Sequence, residues 1–90
     1  MNNAPYSFST EELTRKLIAY IVSDVLLDSS QSELTVNDDL LEDGLVDSLG
    51  IMKLLAYIES EFGFAVPAHD VTVETFMSVD TIVAYLETNV

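Results

Sequence analysis

The stretch GLVDSLGIMKLLAYIESEFG, residues 44–63, decides how this chain folds. Its apolar residues Ile51, Leu54, Leu55, Ile58 and Phe62 recur at i, i+3, i+4, i+7 and i+11, the spacing of one buried helix face. A helix is predicted over residues 48–62, with Gly63 placed to end it. Just upstream, Gly44-Leu45-Val46-Asp47-Ser48-Leu49 leads a glycine-containing turn into an Asp-Ser-Leu triplet. The hydroxyl of Ser48 therefore stands at a helix start in an acidic neighbourhood. Taken alone, the triplet is most simply a helix cap, since Asp and Ser are preferred there.

Working outward, Ser9 opens a capping box with Glu12, and Leu13, Leu17, Tyr20, Ile21 and Val25 follow at helical spacing. A first helix is expected to end near Leu27. Residues 28–47 form a long connection, relieved by Leu34, Val36, Leu40 and Leu41; loops of this length in small domains are usually functional. Downstream, residues 64–67 read as an extended link, and Thr72 can cap a brief helical turn through Phe76. Ser78 caps a final helix with Val79, Ile82, Val83 and Leu86 inward. The fold class is all-α: a small bundle of three main helices plus one short helix, with a long crossover between the first two. Residues 1–8 read as a flexible tail and residues 9–90 as the domain.

Composition narrows the function. Ninety residues suit one domain, and 49% hydrophobic residues suffice for a core. With no cysteine, disulfides and thiolate metal sites are excluded. Residues 1–8 carry no basic residue and no long apolar run, so no signal peptide is expected, and no stretch approaches the roughly 20 apolar residues of a membrane span. A cytoplasmic protein without membrane insertion follows as the expectation. Sixteen acids against three bases give a net charge of −13, which disfavours nucleic acid and anionic membranes. Between Leu17 and Met52 there are eight acids and no base, so a partner meeting this surface should be basic.

Two other chemistries lack the residues they need. A serine hydrolase would need the nucleophile elbow Gly-x-Ser-x-Gly, but Val46 occupies one glycine position and only Gly50 fits. The sole histidine, His69, lies in a polar linker and would have to be the general base. No catalytic residue is assigned. An EF-hand registered on Gly44 puts Asp39 and Asp43 at ligand positions, but Leu41 and Gly50 fall where two further ligands are required. No metal site is assigned.

The run Leu40-Leu41-Glu42-Asp43-Gly44-Leu45-Val46-Asp47-Ser48-Leu49, with its helix ending Ile58-Glu59-Ser60-Glu61-Phe62-Gly63, resembles the acyl carrier protein family. So do Val66-Pro67 and Phe76-Met77-Ser78-Val79 leading to Ile82-Val83-Ala84-Tyr85-Leu86. The resemblance covers nearly the whole chain from Ser9. It implies a carrier rather than an enzyme, and the Asp-Ser-Leu-Gly variant and the short length look like a discrete, stand-alone one. In the family, a phosphopantetheinyl transferase moves 4′-phosphopantetheine from coenzyme A to the serine, here Ser48. The arm's thiol then holds an acyl or aminoacyl group as a thioester. By the same resemblance Asp47, besides capping the helix, helps the transferase and its magnesium engage the loop.

Partner docking is expected on the outer face of the second helix, where Leu49, Met52 and Ala56 lie beside Ser48, together with Lys53, Gly50 and Asp43. Fatty acid synthesis carriers often have acids two, five and twelve positions after the serine. Gly50, Lys53 and Ser60 stand there instead. That favours a dedicated partner from a specialised polyketide, nonribosomal peptide or acyl-transfer pathway: an acyl- or aminoacyl-adenylate ligase, a ketosynthase or an acyltransferase. A monomer is expected. The alternatives are an unprimed helical scaffold of the same fold, or a general fatty acid synthesis carrier.

Overall fold

The computed structural model describes residues 8–28, 30–31 and 33–89. Helix α1 spans Thr10–Tyr20 and runs on into a π-helical turn, Ile21–Val25. Helix α2 spans Ser48–Phe62, and α3 spans Val79–Glu87. A 3₁₀ turn, Ala68–Asp70, lies between them. Among the described residues there is no strand, and no helix is long and apolar enough to cross a membrane. The expected all-α bundle is present.

Local chemistry sets the helix ends. Ser9 Oγ accepts the Glu12 amide and Glu12 accepts the Ser9 amide, completing the expected capping box. The hydrogen bond donated by the Ser9 backbone N–H holds the Glu12 carboxyl below its usual pKa. Ser78 and Thr81 form the same reciprocal pair at α3. Thr72 Oγ1 accepts the Thr75 amide, and the Phe76 amide bonds the Thr72 carbonyl, so the predicted turn through Phe76 forms. The 3₁₀ turn before it was not foreseen. The first helix stops two residues short of Leu27, because the π turn closes at Val25 and Leu26 leaves helical geometry.

α1 packs against α3, and the π turn against α2. Leu13, Leu17 and Ile21 meet Leu54, Ile58 and Phe62 of α2 and Ile82 and Leu86 of α3 in one core. Full burial of each such side chain contributes about 1.5–3 kcal/mol. The predicted α2 stripe is graded: Leu54, Ile58 and Phe62 are buried, while Ile51 and Leu55 are half-buried. Those two flank the stripe on the side facing a groove. Residues 1–7 of the expected tail lie outside the described residues. Phe8 is described, and its ring meets Phe62 edge-on at 5.0 Å.

The long crossover is more strongly anchored than its acidic sequence suggests. Leu34, Leu40 and Val46 are buried in the core. The Leu40 amide donates to the Met77 carbonyl at 2.7 Å, and the Val36 carbonyl accepts the Asp80 amide in the first turn of α3 at 3.0 Å. The crossover thus satisfies backbone groups at the entry to α3.

Candidate functional site

Ser48 is the first residue of α2 and is exposed. Asp47 caps the helix from an extended backbone, φ −108° and ψ −172°, its Oδ1 accepting the Gly50 amide at 2.9 Å. Its carbonyl accepts the Ile51 amide at 3.0 Å. The first amides of a helix have no intrahelical acceptor, and the helix dipole is positive there. A phosphodiester on the Ser48 hydroxyl would meet both, so this helix start fits an attached phosphopantetheine.

The loop that delivers Ser48 is held on several sides. The amides of Leu45 and Val46 both donate to the Leu40 carbonyl, at 3.0 and 2.9 Å. Gly44 turns the chain in the left-handed region, φ +70°, its amide bonded to the Leu41 carbonyl. The Leu27 amide reaches the Leu45 carbonyl at 3.0 Å, tying the end of the first helical segment to the loop.

The acids before Ser48 are partly structural. Asp39 Oδ1 accepts the Glu42 amide at 2.8 Å, and Asp38 Oδ2 accepts the Thr35 amide at 2.9 Å. Asp43 is exposed at the turn. Among the described residues no three Asp, Glu or His side chains gather as metal ligands. His69 sits exposed in the 3₁₀ turn, its Nε2 3.4 Å from Asp70 Oδ1. No hydrogen bond joins it to Ser48 among the described residues.

The outer face of α2 carries an exposed apolar strip. Leu49 and Met52 are 60% and 65% exposed, and Lys53 and Ala56 are exposed beside them. Lys53 Nζ donates to the Asp24 carbonyl at 3.2 Å, in the π turn, and its own carbonyl accepts the Tyr20 hydroxyl at 3.3 Å. Burial and then the Asp24 charge raise the Tyr20 pKa, which keeps that hydroxyl a neutral donor. Gly50, grouped with these residues on sequence grounds, is buried beneath the strip. The reason is packing: its face of α2 closes onto Val46 and Val25.

On the other flank of Ser48 lies an apolar groove of about 350 Å³. Ile51, Met52 and Leu55 form one wall; Leu41, Val71, Val73 and Phe76 form much of the other. Sequence reasoning missed this feature. Its only trace is a pair of valines, Val71 and Val73, in a linker with no helical spacing to explain them.

Residues 16–86 match the phosphopantetheine attachment site family. The chain is 31% identical over 80 residues to a D-alanyl carrier protein of Abiotrophia defectiva, covering 89% of this chain and 95% of the relative. A chain in the crystal structure of Bradyrhizobium japonicum glycine:carrier protein ligase complexed with glycylated carrier protein superposes with a TM-score of 0.60 and 28% identity. That match covers 78% of this chain and 92% of the other. A chain in the crystal structure of an FAD-dependent dehydrogenase gives 0.68 and 36%, covering 80% and 99%. The attachment-site match runs from α1 through the crossover and α2 into α3, and the D-alanyl carrier matches over nearly its whole length. The chain therefore belongs to the acyl and peptidyl carrier protein family and carries covalently attached 4′-phosphopantetheine.

Proposed function

We propose that Ser48 is the attachment point and that residues 9–90 act as an aminoacyl carrier domain, a substrate of partner enzymes in the cytoplasm rather than an enzyme itself. The observation that carries this reading is the placement of the Ser48 hydroxyl: exposed, first in α2, and preceded by the Asp47 cap. In priming by a phosphopantetheinyl transferase, a bond forms between Ser48 Oγ and phosphorus. The phosphoanhydride bond of coenzyme A breaks, adenosine bisphosphate leaves, and the serine proton passes to a base on the transferase. Asp47 caps α2 through the Gly50 amide, and its carboxylate would be available to the transferase's magnesium when the loop is engaged. The attached arm supplies a thiol on which cargo is carried as a thioester. With no cysteine in the chain, no internal thiol competes for that cargo.

Support for a small aminoacyl cargo comes from the relatives, one a D-alanyl carrier and one solved as a glycylated carrier with its ligase. The groove beside Ser48, about 350 Å³, lies at the small end of ligand-sized cavities. The loading enzyme in this reading is an adenylate-forming ligase. It docks on Leu49, Met52, Lys53 and Ala56, with basic groups opposite Asp43 and its acidic neighbours.

Intact mass after incubation with coenzyme A, magnesium and a broad-specificity transferase tests the attachment. The wild-type chain should gain one phosphopantetheine and Ser48→Ala none. A folded wild-type chain that gains nothing would sink the assignment. Offered glycine, D-alanine and long-chain fatty acids with matching ligases, the primed carrier should form thioesters with a small amino acid. Loading by long acyl chains alone would overturn the cargo reading.

A further inference from the structure

We infer that Gly50 is the positioning residue for the Ser48 hydroxyl: its missing side chain lets the first turn of α2 close onto Val46 and Val25, and this contact sets how far Ser48 stands out. The inference rests on Ser48 being the attachment point and goes beyond it.

The three glycines of the chain fall into two kinds. Gly44 and Gly63 have φ +70°, and a Cβ on either would meet nothing within 4 Å. They are glycines for backbone conformation. Gly50 has no positive φ and lies inside a helix, where glycine is a poor helix former compared with alanine. Space is what distinguishes it. A Cβ at Gly50 would lie 2.6 Å from Val46 Cγ1 and 2.9 Å from Val25 Cγ1.

Both neighbours are buried, so neither has open space to turn into. Val46 is buried, with its amide bonded to the Leu40 carbonyl, and Leu40 is in turn bonded to Met77. Val25 is buried and closes the π-helical turn, a widened turn of the kind often found at functional sites. Asp47 Oδ1, the acceptor of the Gly50 amide, would itself lie 3.6 Å from the added carbon. A side chain at position 50 would therefore lift the first turn of α2 by a good fraction of an ångström and stretch the cap. Ser48 is two residues away on that same turn, so its hydroxyl moves with it. Misplacement of a reacting group by about 1 Å can cost on the order of a hundredfold in rate.

The test is the rate of priming for wild type, Gly50→Ala and the double variant Gly50→Ala/Val46→Ala, with coenzyme A, magnesium and a broad-specificity transferase. Circular dichroism and urea melts give the folded fraction, and rates are compared per folded molecule. Gly50→Ala should lower kcat/KM by about tenfold or more, mostly in kcat, because the outer docking strip is unchanged. The double variant, which removes the nearest clash, should recover most of that loss, and it carries the test if the single variant does not fold. Wild-type rates for folded Gly50→Ala would overturn the inference and leave the Ser48 assignment intact. So would a folded double variant that stays far below the wild-type rate. No mass gain on the wild-type chain would instead sink the Ser48 assignment, and the inference with it.

Discussion

At its C-terminal end α2 is closed by Gly63, in a left-handed conformation with open space where a side chain would be. At its N-terminal end, Gly50 has ordinary helical backbone and two buried valines inside the space a Cβ would need. One end is made by local backbone chemistry, the other by three segments meeting. The same residue type therefore carries different information at the two ends. Gly63 reports only where a helix stops; Gly50 reports how the crossover and the π turn press on the helix that bears Ser48.

Substitutions can break this contrast. The largest stability effect is expected at Gly50. Overpacking costs about 1–3 kcal/mol, and alanine's better helix propensity returns up to about 1, so Gly50→Ala should lose about 1–2 kcal/mol in a urea melt. A variant as stable as wild type would mean the valines relax freely. Gly63→Ala should cost about 1 kcal/mol from the left-handed backbone, and Gly63→Asn clearly less, because asparagine tolerates that conformation. Equal costs for the two would show that Gly63 is also held by packing.

Asp47→Ala should cost about 1 kcal/mol through loss of the bond to the Gly50 amide, with Asp47→Asn close to wild type by the same melt. If Asn keeps stability but slows priming, the carboxylate has a role in engagement beyond the cap. The smallest stability effect is expected at Lys53, which is exposed and whose ammonium, among the described residues, donates to a single backbone carbonyl. Lys53→Glu should change stability by less than about 0.5 kcal/mol while shifting ligase loading rates severalfold. Comparable damage to both would make Lys53 a structural tie between α2 and the π turn.

What could be read from the residue order was mostly what depends on neighbours three or four positions apart. Ser9 with Glu12, Ser78 before α3, Gly63 after Phe62, and the Leu54, Ile58 and Phe62 stripe are all of that kind. Ser48 and Asp47 stood out because a cap and a hydroxyl at a helix start are local features too. The crossover was legible only as long and acidic. Its anchoring depends on Leu40 reaching Met77 and Val36 reaching Asp80, contacts between residues some forty positions apart that no local pattern encodes. The groove beside Ser48 escaped for the same reason, since it is assembled from α2, the crossover and the linker before α3.

The sequence by itself determined three helices, their inward faces, and a serine at the start of the second, because capping and helical periodicity act over a single turn. Only the tertiary structure decided the burial of Gly50, the graded exposure of Ile51 and Leu55, and the groove that opens next to Ser48. Those follow from where distant segments come to rest against α2, and van der Waals contact is a property of that arrangement rather than of residue order.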